Sequence, residues 1–329
     1  MSLPVKKIYI DSRYRTKDSE SSSSFKLQLA RNMYMPKNTV FYIEDVCIPH
    51  TWYTVEAGVN DRLYIRYRPT FSGLQVTDGS DADWFRNFHI ENGVVVSVPA
   101  QIQGWYDRFI TLTPNVYTAQ TLSVEVQAKL NALSNGNFGC SYNAALNTIT
   151  IFPTGSYVFY LPTEQDLSTG MHNTWNLNVS GANTNYSVFH NYDRNNPMSC
   201  NEILGNTNGA SPAYALPGFG PMGASVYTSG FLHLTPHNIY LSSPNLGTYT
   251  TLGPRGESNI LKKIPVTSSY GYLIVDQSTS THDFLDCSDQ SLCTFEFNIK
   301  DVKGNIINLH GSNISFSIVF ASHNEDGLH

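Results

Sequence analysis

The two ends of the chain share one strand pattern, and the long stretch between them does not. Near the C-terminus, Phe295, Phe297 and Ile299 alternate with polar residues, the turn-forming Asp301-Val302-Lys303-Gly304-Asn305 follows, and Asn313-Ile314-Ser315-Phe316-Ser317-Ile318-Val319-Phe320 is a last strand-like run. At the start, Lys7-Ile8-Tyr9-Ile10-Asp11 leads through residues 12–15 and a serine run over 21–24 into Phe25-Lys26-Leu27-Gln28-Leu29, apolar at every second position. Successive side chains of a strand point to opposite faces, so a period of two bounded by Gly, Asn, Asp and Ser marks half-buried antiparallel strands. Val40, Ile43, Val46 and Ile48 continue the pattern up to Pro49, which is expected to end a strand. Residues 62–67 form another such run, and the order resumes at 238–241, 260–266 and 272–275.

The middle differs in composition. Residues 70–235 contain four Lys/Arg against ten acids and hold 15 of the 23 glycines. The flanks, 1–69 and 236–329, supply 69 and 94 residues, 163 together, which is enough for an eight-stranded roll of two Greek keys. The chain is therefore expected to be mainly β: a single eight-stranded antiparallel jelly roll, discontinuous over 1–69 and 236–329, with 70–235 as an insertion domain. An exposed loop accepts such an insertion because little buried backbone is disturbed. Within it, Ala119, Leu122, Val126, Leu130 and Leu133 recur at steps of three and four, which predicts a helix over 118–134 with Thr118 as N-cap and Ser134-Asn135-Gly136 as its end. Strand-like runs at 109–112, 146–152 and 157–161 around one helix predict a small α+β unit, and 163–235, rich in Asn, Gly, Ser and Pro, reads as long loops.

No residue pattern specifies a catalytic, cofactor or metal site. Gly218-Phe219-Gly220-Pro221-Met222-Gly223 satisfies a dinucleotide-binding string literally, but Pro221 interrupts it and no helical periodicity follows to meet a pyrophosphate. His233 and His237 are spaced for one helix face, which Pro236 removes. His310 beside Gly311 reads as a turn residue, and Asp283, Asp286 and Asp289 read as a solvated acidic loop without the glycine and terminal glutamate of a calcium loop. Five scattered cysteines, 47, 140, 200, 287 and 293, are neither a disulfide framework nor a zinc site, and fit a reducing compartment. No run approaches membrane-spanning length, and no apolar leader precedes Lys6.

Charge is uneven. Residues 1–40 hold eight Lys/Arg and three acids, a balance of +5 in a chain whose net charge is −6, which leaves −11 elsewhere. Lys6, Lys7, Arg13, Arg15 and Lys17 are thus candidates for contact with packaged nucleic acid or an acidic neighbour. Lysines guarding a solvated β edge explain the same pattern. Twenty tyrosines against four tryptophans suit partly wet contact surfaces as well as pleated strands.

The end segments also resemble a known family. The strings IYIDSRYR…SSSSFKLQL, PKNTVFYIEDVCIPHTWYTVEAGVNDRLYI and FEFNIKDVKGNIINLHGSNISFSIVF are similar to the penton (minor capsid) proteins of virophages and polinton-like viruses. The most specific pieces are Lys303-Gly304-Asn305, Leu309-His310-Gly311-Ser312 and Ser315-Phe316-Ser317, and the match covers the first and last quarters of the chain. The resemblance implies a single jelly roll and a homopentamer at the vertices of an icosahedral virion. It further implies a double jelly-roll major capsid protein as neighbour, assembly in the host cytoplasm or viral factory, no cofactor and no enzymatic role. Two other readings stand beside it: the insertion as a receptor- or glycan-binding head on a jelly-roll base, and, last, a cupin-like or carbohydrate-active enzyme.

Overall fold

In a computed structural model of the chain, the described residues are 6–69, 88–91, 94–97, 106–134, 138–154, 157–161, 176–179, 182–185, 198–205, 226–246, 251–254, 256, 259–278, 280 and 283–322. They form antiparallel sheets with one α-helix, a mainly β architecture. The chain divides into two compact units, Met1–Trp52 with Thr235–His329, and Tyr53–Leu234. The first unit opens with β1 (Lys6–Asp11), β2 (Ser24–Met35) and β3 (Thr39–Pro49). The second contains β4 (Arg62–Pro69), β5 (Phe88–Glu91), β6 (Val94–Ser97), β7 (Tyr106–Thr111), α1 (Ala119–Ser134), β8 (Phe138–Asn143), β9 (Thr148–Pro153), β10 (Tyr157–Tyr160), β11 (Asn176–Val179), β12 (Ala182–Asn185) and β13 (Tyr227–Thr228). The first resumes with β14 (Asn238–Ser242), β15 (Ile260–Pro265), β16 (Leu273–Asp276), β17 (Leu285–Asp286), β18 (Gln290–Lys300) and β19 (Ser315–Ser322).

The first unit pairs its strands in two sheets, β1-β19-β3-β16 with β17 also on β3, and β15-β14-β18-β2. All of these pairs are antiparallel, and the β1–β19 ladder sets Lys6 opposite Phe320 and Asp11 opposite Ser315. The alternation in sequence becomes one core. Ile10, Phe41, Ile43, Val46, Ile48, Phe316 and Ile318 from the first sheet meet Phe25, Ile239, Leu241, Ile264, Phe295, Phe297 and Ile299 from the second. Phe297 stands edge-on to Phe316 across the core, with ring centroids 4.9 Å apart, and packs on Phe25 at 5.6 Å. Such aromatic pairs add to the area they bury.

One ion pair also bridges the sheets. Lys262 of β15 reaches Asp276 of β16 at 3.4 Å, each side chain 9% exposed. Its Nζ donates to the carbonyls of Ser278 at 2.7 Å and Ile43 at 3.3 Å. Burial pushes the Asp276 carboxyl up, but hydrogen bonds from the Ser278 hydroxyl and amide, with the Lys262 charge, outweigh it and hold the group below its ordinary value of 3.8.

Strand β3 carries an irregularity. Its pairing with β19 passes from Asp45↔Ser317 to Ile43↔Ile318, which leaves Glu44 as an extra residue. A bulge of this kind resets the alternation of faces. Ile43 and Val46 are both buried, and Glu44 and Asp45 lie side by side between them, away from the core.

In the second unit β4 lies between β10 and β7, and β9 between β13 and β8, with α1 packed on β8. The helix buries Ala119, Leu122, Val126 and Leu130 against Leu63, Ile65, Phe138, Ile149 and Phe159 in a core of its own. Thr118 caps it as expected: its hydroxyl accepts from the Thr121 amide at 3.2 Å, and the Thr118 amide donates to the Thr121 hydroxyl at 2.9 Å. The expected helix end at residues 135 and 136 lies outside the described residues. Within 163–235 the described regular elements are β11, β12, β13 and a 3-10 turn, Asn201–Leu204. Gly205 ends that turn at φ +67°, where an added Cβ would sit 2.5 Å from the Phe231 carbonyl oxygen, so both backbone sign and space demand glycine. The expected first boundary, after residue 69, is corrected by these pairings. Strand β4 joins β7 and β10, and Leu63 and Ile65 belong to the second core, so the division falls between Trp52 and Tyr53.

Two outcomes are expected. Phe297→Ala opens a cavity at the junction of the sheets and should cost about 3–5 kcal/mol in denaturant unfolding. Asp276→Asn leaves the Lys262 ammonium buried with two carbonyls only, and should cost about 3 kcal/mol at neutral pH. Because the folded carboxyl titrates below 3.8, the stabilisation by Asp276 is fully present above that pH and is lost as pH falls through the folded value. Thermal melts should therefore show the Asp276→Asn penalty constant from pH 7 to about pH 4 and shrinking below it.

Candidate functional site

The basic N-terminal residues differ in what they are bonded to. Asp11 ends β1 and caps a 3-10 turn, Ser12–Tyr14, by accepting from the Arg13 amide at 2.9 Å. The Arg13 guanidinium folds back on the same carboxylate, with Nε 2.9 Å and 3.0 Å from its two oxygens, and these bonds hold the Asp11 carboxyl below its usual range. Arg15 Nη1 donates to the Ser12 carbonyl at 3.0 Å and to Asn313 Oδ1 at 3.2 Å. The Ser12 hydroxyl accepts from the Ile314 amide at 3.0 Å, so Arg15, Ser12 and Asn313 clasp the open end of the β1–β19 ladder. Lys7 is ion-paired with Glu44 and stands 5.1 Å from the Tyr9 ring centroid. Among the described residues, Lys6 and Lys17 are exposed and have no ion-pair partner.

A second feature was not singled out by sequence reasoning. On the outer face of the β1-β19-β3-β16 sheet a shallow depression of about 460 Å³ is lined by Lys7, Tyr9, Glu44, Asp45, Gln277 and Ser317. Its floor is a cross-strand row, since Ser317 faces Tyr9 on one side and Asp45 on the other. The bulge at Glu44 is what places two carboxylates here. Ser317 is 2% exposed, and among the described residues its hydroxyl has no hydrogen-bond partner. Asp45 likewise has neither an ion pair nor a hydrogen bond among them. The legible signal is the doublet Glu44-Asp45 between Ile43 and Val46, two polar residues where alternation calls for one. Leu273 and Val275 of β16 are exposed on the same sheet, as are Tyr9 and Tyr14 beside it in sequence.

The remaining candidates lie in turns and backbone-bonded segments. His310 has φ +47° and its amide donates to Asn308 Oδ1 at 3.0 Å, within a turn. Asp283 accepts from the Ser280 amide at 2.7 Å, Asp286 from the Ser288 amide at 3.0 Å, and Asp289 has φ +56° in the turn before β18. The His233 amide donates to the Ile203 carbonyl and the His237 carbonyl accepts from Val266, in separate units. All five cysteines are free, and among the described residues no group of three His, Cys, Asp or Glu could hold a metal ion. The glycine string 218–223 lies outside the described residues. His50, not singled out in the sequence, is buried at the end of β3. It stacks on Trp52 at 4.2 Å with Nδ1 2.7 Å from the Ser268 carbonyl, and burial pushes its pKa down against that hydrogen bond. Among the described residues no helix is long and apolar enough to cross a membrane.

Any DNA affinity of the N-terminal segment should run through Lys6 and Lys17, whose ammonium groups can reach a phosphate without giving up a carboxylate. Lys6→Gln or Lys17→Gln should each lower the slope of log K against log salt by about 1, while Arg13→Gln leaves it unchanged. Filter binding at several salt concentrations measures this, and an equal loss for Arg13 would contradict it.

No family model matches the chain, and no curated protein matches it. Among solved structures it is similar to the crystal structure of the mavirus penton protein, at 9% sequence identity and a TM-score of 0.45, over 97% of this chain and 99% of that one.

Proposed function

We propose that the protein is a structural, non-enzymatic capsid protein that assembles as a homopentamer at the vertices of an icosahedral virion. Its first unit is read as an eight-stranded jelly roll of β1, β2, β3, β14, β15, β16, β18 and β19. These strands are distributed in the orders β1-β19-β3-β16 and β15-β14-β18-β2, the two-sheet arrangement of a double Greek key. One observation carries the reading. The segments that resemble virophage and polinton-like penton proteins form β1, β2, β3, β18 and β19, so most of the resemblance falls on the framework of the roll, and residues 53–65 of the second string carry it into the start of β4. On this reading the inserted unit projects outward, the N-terminal segment turns toward packaged DNA or adjacent capsomers, and the double jelly-roll major capsid protein surrounds the ring.

The mechanism is closure by repetition. A roll satisfies its own core within one chain, so assembly uses the outer surfaces, and one heterologous interface repeated five times closes a ring. Each copy must then bury on the order of hundreds of Å² against each neighbour. Native mass spectrometry of the purified protein should show a species near five times 36.7 kDa. A stable trimer would move the protein from a vertex to a facet or spike and overturn the reading.

A further inference from the structure

We propose that the depression on the outer face of the β1-β19-β3-β16 sheet receives the guanidinium of an arginine presented by a partner protein. This goes beyond the capsid reading, and the chemistry that supports it is local. Lys7 is paired with Glu44, so Asp45 leaves the depression with one net negative charge. That charge repels phosphate, sulfate and carboxylate ligands. It is too little for a divalent cation, which needs several oxygen ligands and would sit beside the Lys7 ammonium. A monocation is what the charge admits.

The arrangement of acceptors and ring selects among monocations. Ser317, 2% exposed, lines the floor, and its hydroxyl has no hydrogen-bond partner among the described residues, so its oxygen is left to accept from a ligand. Asp45 lies beside it in the same row, and the exposed amide of Gln277 lines the wall, so the acceptors are spread rather than focused on a point. Tyr9 faces Ser317 from the other side and is 76% exposed. An ammonium is a compact, strongly hydrated point charge, whereas a guanidinium presents five donors in a plane, pairs with a carboxylate in a fork and stacks on an aromatic ring. Spread acceptors match the second, and the exposed Tyr9 ring, 5.1 Å from the Lys7 ammonium, lies beside them. The depression is shallow, and exposed Leu273 and Val275 continue the same sheet, so the residues flanking an arginine in a polypeptide gain apolar contact that a free amino acid lacks.

The test is an amide NMR titration of the full chain with N-acetyl-arginine amide, N-acetyl-lysine amide and N-acetyl-citrulline amide, the last having the shape of arginine without its charge. Saturable shifts confined to Tyr9, Asp45, Gln277 and Ser317 are expected with the arginine probe. They should be weaker with lysine and absent with citrulline. Asp45→Asn, which replaces an unpaired carboxylate by its neutral isostere, should weaken arginine binding about tenfold, the value of one lost charge-assisted contact. Gln277→Ala, at an exposed position, should weaken it less. Equal shifts with citrulline, indifference to Asp45→Asn, no saturable shift, or occupation of the same residues by a neutral sugar or calcium instead would each overturn the proposal. A monomer in mass spectrometry would defeat the pentamer and leave this titration untouched.

Discussion

The ladder between β1 and β19 is the contact on which the first unit depends. It joins residues 6–11 to residues 315–320 and so closes almost the whole chain into one loop. Loop-closure entropy grows only with the logarithm of length, each doubling costing about 0.6 kcal/mol, so an insertion of any plausible size is cheap once the ladder forms. The ladder is correspondingly well defended. Its inner side buries Ile10 opposite Phe316, and its outer end is clasped by Ser12, Arg15 and Asn313. The kinetic side is less favourable, because pairings of such long sequence separation form slowly and leave strand edges exposed while they wait.

Much of this was legible in the sequence, for a reason that also marks its limit. Period-two alternation reports that a strand has a buried face, and it located β1, β2, β3, β18 and β19 because each turns alternate residues into the core. It does not report which core. Strand β4 alternates as the others do, yet Leu63 and Ile65 point into the second unit, and nothing in residues 62–67 distinguishes them from roll strands. The helix was legible down to its cap because capping is a local contact between Thr118 and Thr121. The depression was not, since its residues come from β1, β3, β19 and the segment after β16. Of its members only Glu44 and Asp45, by breaking the alternation, left a trace in the linear pattern.

The charges of the N-terminal segment show what a net balance leaves out. Five basic residues close together suggest a cationic arm, but Lys7 and Arg13 each stand against a carboxylate, and Arg15 spends its donors on backbone and amide oxygens. Of the eight cations behind the +5 balance, Lys6, Lys17, Arg31 and Lys37 are exposed with no ion-pair partner among the described residues, and the others are tied to carboxylates or to backbone and amide oxygens. Lys262 follows the same economy inside the unit, where a cation that sequence alone would place on the surface ties β15 to β16 and β3.

Residues 53–234 form one uninterrupted block in the chain, and every strand of the first unit lies outside it. At the level of the gene this amounts to a cassette with two ends. Recombination with one crossover on each side would exchange the entire second unit and leave all registers of the first intact. A lineage carrying this frame can therefore replace what it inserts in a single event, while the framework changes only by slow substitution under the constraint of its shared core. Divergence in such proteins should be punctuated in the middle of the chain and gradual at its ends.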